Sequence, residues 1–244
     1  MTLPARMLSA LLDPGALAEG AGSRAWADVL LIAILAVAAA NFAMWNSAMG
    51  RRMFEEERQA SIERMRGRVP DETLERIARA PAGYTQTALG AAFTRAMNIG
   101  VPVLIWTAAV HLLFSVVLLR QDVGLSKVLT IFSHGALIWA IAELLMLALT
   151  YTDGIARGST SLVHLIPAVR WPPRATFAGA LAARFDLFDL WWVPAVSLGL
   201  ARVYGVKAWI VIAAIGGIRL ALVVAGAALA RAPEAGGAPF GHPI

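Results

Sequence analysis

Charged and polar side chains inside long apolar runs are where chemistry would have to sit in this chain. Each costs several kcal/mol in hydrocarbon unless it meets a partner or a wet cavity. Glu143, Arg219 and His111 lie in such runs, as does the amide of Asn41. Counting helical rise inward from the ends nearest the long polar loop puts Glu143 and Asn41 about 10 Å deep, Arg219 about 16 Å and His111 about 20 Å. An arginine side chain can span the offset to Glu143, so a Glu143–Arg219 pair with Asn41 beside it is expected. Asp189 is placed only about 4 Å deep and is the poorer partner. Three roles fit such a pair: an ion pair fixing helix register, a solute or proton site, or two side chains snorkelling separately to water.

Enzymatic readings find little support. The histidines His111, His134, His164 and His242 are scattered, with no His-Glu-x-x-His run or equivalent pair of ligands for a metalloprotease. Glu55, Glu56 and Glu57 run directly into Arg58, the wrong spacing for a Glu-Glu-x-x-x-Arg peptidase. Ser115 follows His111 on one helix and can stack on it, with no oxyanion site in view. There is no phosphate loop, and haem between His111 and His134 is a remote option. Cysteine is absent, which excludes disulfides and thiolate-held metals. The expectation is a non-enzymatic protein with no catalytic residues, no metal and no cofactor.

The elements that must position these groups are apolar helices. Of the 244 residues, 59% are hydrophobic and only 15% charged, against about a quarter charged in a soluble domain. Five membrane spans are expected, at about 26–48, 97–119, 128–150, 187–203 and 208–230, in one all-α bundle. Residues 1–25 form an N-terminal segment in which Leu3, Met7, Leu8, Leu11 and Leu12 suit a short helix on the membrane surface. The first 20 residues lack a clean apolar core, so the first long run is expected to target the chain itself. The charged stretch 49–96 reads as two short surface helices, the second opened by Pro70. Residues 232–244, rich in Gly and Pro, read as a flexible tail.

The last span carries a second pattern. Ala213, Gly217, Ala221 and Ala225 recur every four residues, a spacing that lets helix backbones approach closely. Arg219 falls on the opposite face from Gly217, with Gly216 and Gly226 on its own side. A helix covered on both faces is therefore expected, either central in the bundle or at an oligomer interface.

All but two of the 21 basic residues, Lys127 and Lys207, are arginine. Lys and Arg are concentrated on the side of the long loop, with Arg157, Arg170, Arg174, Arg184 and Arg231, against Arg6, Arg24, Arg120, Lys127, Arg202 and Lys207 opposite. That bias puts the long loop and the C-terminus in the cytoplasm and the N-terminus outside. The expected partners are the lipid bilayer and another membrane protein or a second copy, and not nucleic acid.

The segment "FDLFDLWWVPAVSLGLA", residues 185–201, resembles the "LDLFSLWSLVLLAIGLA" type of segment in prokaryotic members of the Yip1 membrane protein family. Asp186, Leu187, Phe188, Leu190, Trp191, Leu198 and Gly199 match, whereas Asp189, Trp192 and Pro194 depart from it. The "LLDPGALAEG" stretch, the charged loop and the five-span layout add to the likeness. The resemblance implies a protein of a bacterial cytoplasmic membrane that binds and organises other membrane components, as members that accompany transport systems do, with no catalytic residues to carry over. It also implies a cytosolic N-terminus, opposite to the charge bias. The alternative, from the residues alone, is a small transporter or channel using the polar groups of the bundle. A dry, sealed ion pair would favour the first, and a cavity reaching Arg219 the second.

Overall fold

A computed structural model describes residues 2–13, 25–67, 69–79, 87–117, 122–153, 181 and 186–229. The connector between the third and fourth expected spans and the C-terminal tail lie outside the described residues. Eight helices are described: α1 (Leu3–Leu12), α2 (Ala25–Asn46), α3 (Ala48–Met65), α4 (Asp71–Arg79), α5 (Ala88–Val117), α6 (Leu125–Asp153), α7 (Leu187–Tyr204) and α8 (Ala208–Leu229).

Four of these are long and apolar enough to cross a bilayer: Trp26–Asn46, Ala88–Val117, Leu125–Tyr151 and Ala208–Ala228. The chain is thus an all-helical integral membrane protein. Its outward faces carry Leu31, Leu35, Leu104, Ile105, Leu112, Leu220 and Leu222, all exposed in the isolated chain. α7, the fifth expected span, is not among the four. Its 18 residues include Asp189, Arg202 and Pro194, which lower its apolar character.

The second expected span starts nine residues earlier than its apolar core, at Ala88 rather than Met97. Thr87 explains the start: its hydroxyl accepts from the Gly90 N–H at 3.0 Å and caps the helix. The two expected surface helices of the long loop correspond to α3 and α4, and Ser47 caps α3 through the Gly50 N–H. In α1, Leu3, Met7 and Leu11 pack on the core while Leu8 and Leu12 face outward.

α6 is the centre of the bundle. It packs against α1, α2, α5 and α7, and every residue from Thr130 to Ile138 is buried. α8 packs principally against α7 and sits at the periphery. This corrects the central position expected for α8: among the described residues, only its Arg219 face is covered.

α6 and α7 meet closely at Gly135. A Cβ there would lie 2.6 Å from Val196 Cγ2 and 3.0 Å from Trp192 Nε1, so only hydrogen at that position lets the helices approach. Trp192 is fully buried and sits among Trp106, Phe132 and Trp139, with ring centroids 5.5, 5.9 and 4.8 Å away. One of the three residues that depart from the resembled segment, Trp192, is thus the hub of the aromatic core.

Candidate functional site

The motif that opens α7 has a local structural role. Asp186 is the N-cap of the helix, its Oδ1 accepting from the Phe188 N–H at 2.8 Å. At the other end Gly205 takes a left-handed conformation, φ 63°, and turns the chain tightly into α8. Phe188 packs against the core, Trp191 faces outward, and Gly199 is buried.

This short hairpin decides the partner of Arg219. Measured from the shared turn, Asp189 lies about 22 Å along α7 and Arg219 about 17 Å along α8. The guanidinium spans that small offset, and Arg219 Nη2 donates to Asp189 Oδ2 at 2.5 Å. The expected Glu143–Arg219 pair does not form. Glu143 Oε1 instead accepts from Arg95 Nη1 of α5 at 3.1 Å. Depths counted inward from the loop side treat every helix as reaching the same plane. α7 is four residues shorter than α8, so its first turn lies deeper than that count allows.

The two ion pairs nevertheless share one cleft. Glu143, Asp186, Asp189, Arg219 and Asn98 line a cavity of about 370 Å³ whose apolar wall includes Trp106, Trp139 and Phe188. The Glu143 and Arg219 side chains remain 29% and 33% exposed, so the charges are reachable. Pro102 lies in the wall beside Asn98. Lacking an N–H, it leaves the Asn98 carbonyl, four residues earlier, without a helical donor.

Asn41 and His111 do not join them. Asn41 is buried and donates Nδ2 to the Val37 carbonyl of its own helix at 3.0 Å. His111 meets the Tyr204 hydroxyl through Nδ1 at 3.5 Å, near the α7–α8 turn. Tyr204 in turn stacks on Phe114, with centroids 4.8 Å apart. Ala213, Gly217, Ala221 and Ala225 are all exposed. A Cβ on Gly217 would meet nothing within 4 Å, whereas one on Gly216 would meet Val193 of α7 at 3.6 Å. The two faces of α8 differ as expected, but no described helix covers the small-residue face.

Two features were missed in the sequence reading. Arg95 belongs by sequence to the charged stretch 49–96, whereas α5 carries it to Glu143 of α6. Arg6 of α1 pairs with Asp28 in the first turn of α2, and its side chain is only 11% exposed. Its place on the polar side of an amphipathic helix gave no hint of burial. The described residues contain no cluster of His, Cys, Asp and Glu that could hold a metal ion. No family model, curated protein or solved structure matches the chain.

Proposed function

We propose that this is a five-span protein of a bacterial cytoplasmic membrane whose cleft binds a small solute, as the recognition site of a transport function. The observation that carries the reading is the cavity reaching Arg219. A purely structural ion pair is better closed to solvent, because water weakens the attraction it was buried to gain. Here both pairs border a space within the 300–1,000 Å³ range typical of small-molecule pockets. α7 serves as the fifth span in this reading. Its length of about 27 Å approaches a hydrocarbon core of about 30 Å, and it is buried along one side by α6 and α8. The Lys and Arg bias favours an outside N-terminus.

The absence of cysteine makes the test direct. Single cysteines at Asn98 and Ala142, both in the cleft wall, should react with a water-soluble thiol reagent in membrane vesicles. Leu104→Cys, on the outward face of α5, should not. Protection of both cleft positions would remove the reading.

A second reading has its own support. The exposed Ala213–Ala225 face, with the likeness of α7 to a Yip1-type segment, favours a protein that binds and organises other membrane components or itself. Cross-linking of copies or partners through Ala221→Cys in native membranes would support it.

A further inference from the structure

The unused hydrogen-bonding capacity of the cleft describes its ligand. Arg219 engages Asp189 through Nη2, and Nη1 makes no hydrogen bond to the described residues; Nε is buried out of a ligand's reach. Glu143 engages Arg95 through Oε1 and Asp189 engages Arg219 through Oδ2, which leaves the second oxygen of each carboxylate without a donor among the described residues. The Asn98 carbonyl freed by Pro102 adds a further acceptor on the same wall. Donors and acceptors are thus both unfilled, and both belong to charged groups.

From this we infer that the cleft takes a zwitterion, a molecule with an ammonium and an acid group on an apolar body. The inference rests on the cleft being the solute site. A simple anion reaching Arg219 would lie against Asp186, Asp189 and Glu143, and a simple cation reaching those carboxylates would lie against Arg219. Each would be desolvated beside a like charge, which disfavours binding. A dipolar molecule answers both signs at once: its acid group accepts from Arg219, and its ammonium donates to the free carboxylate oxygens and the Asn98 carbonyl. Trp106 and Trp139 give the apolar body a surface and an aromatic face for the ammonium. Free amino acids with large apolar side chains have this chemistry, and so do the headgroups of zwitterionic phospholipids.

The test uses the full chain in nanodiscs, with binding read from tryptophan fluorescence and from protection of Asn98→Cys against the thiol reagent. In phosphatidylglycerol discs three probes of one size are compared: phenylalanine, phenethylamine without the acid group, and 3-phenylpropionate without the ammonium. Phenylalanine should bind about tenfold or more tightly than either, and Arg219→Gln should bring it to the level of phenethylamine. A second arm replaces phosphatidylglycerol by phosphatidylethanolamine. Protection by phenylalanine identifies a free solute. Protection by phosphatidylethanolamine alone identifies a lipid headgroup, and either supports the zwitterion. Equal binding of phenylalanine and one of its single-charge analogues would overturn the inference, as would protection by none of the probes or lipids. If Asn98→Cys still reacts with reagent in that last case, the cleft survives and only its ligand class falls. If it never reacts, the solute reading falls with it.

Discussion

Two charge pairs anchor opposite ends of the argument about this molecule. Arg6–Asp28 joins the surface helix α1 to the first turn of α2, and the arginine side chain is 11% exposed. Arg219–Asp189 joins α8 to α7, and its arginine is 33% exposed beside a cavity of about 370 Å³. The first closes over its arginine, with α1 laid on α6 as a lid. Nε does not separate them, since it is buried without a hydrogen bond in both arginines; what differs is the cavity beside Arg219. The same chemical pair therefore does different work according to what covers it. Where packing covers the arginine, the pair fixes geometry, even with Asp28 itself 42% exposed. Where a cleft remains, it keeps capacity for something else.

The largest effect should come from breaking the closed pair on its less buried side. Asp28→Leu removes the carboxylate that engages the Arg6 guanidinium, and because Asp28 is itself 42% exposed the cost is discounted to about 2 kcal/mol. The measurement is thermal unfolding in detergent. Adding Arg6→Leu should recover part of that loss, because the covered guanidinium goes with it. A single variant as stable as the parent would show that Arg6 reaches water by another route, and the contrast between the two pairs would vanish.

A smaller effect is expected in the cleft, and it sharpens the contrast. Arg219→Leu and Asp189→Leu should each cost about 1–2 kcal/mol, because partial exposure lets water take over some of the lost interaction. The pair should show a coupling of about 1 kcal/mol in a double-mutant cycle. Arg219 with Glu143 should show less than about 0.5 kcal/mol, since Glu143 has its own partner in Arg95. Stronger coupling to Glu143 than to Asp189 would restore the pairing expected from sequence alone.

That misassignment shows where sequence reading runs out. The apolar runs place α2, α5, α6 and α8, because hydrocarbon thickness demands long helices and the chain signals them plainly. The cap at Asp186 and the left-handed turn at Gly205 are short-range chemistry that becomes plain only once the ends of α7 are placed. Depth along the bilayer is not legible. It depends on how far each helix is drawn in by its turns, and the Gly205 turn holds α7 deep enough to put Asp189 beside Arg219. Facing is equally hidden where a helix is apolar all round. Nothing in the spacing of α6 marks Gly135 as its contact with Trp192, or separates Trp192, fully buried, from Trp191, turned outward. Arg95 failed for a third reason: a charge ahead of an apolar run looks like loop until a cap such as Thr87 extends the helix through it.

The smallest effect tests the other face of α8. Ala221 is exposed opposite the arginine, on a ridge where even Gly217 has open space around its missing Cβ. If lipid covers that ridge, Ala221→Leu exchanges one apolar side chain for a larger one in an apolar solvent, and stability should change by less than about 0.5 kcal/mol. If a partner helix covers it, the close approach that small residues permit is lost. A leucine would then wedge the helices apart and weaken the assembly without touching the cleft. The measurement pairs thermal unfolding with cross-linking in native membranes. Unchanged stability and unchanged mass leave α8 with one working face, the one carrying Arg219. A loss of cross-linked species with phenylalanine binding intact would give the helix two, separating what the protein holds in its cleft from what it stands beside in the membrane.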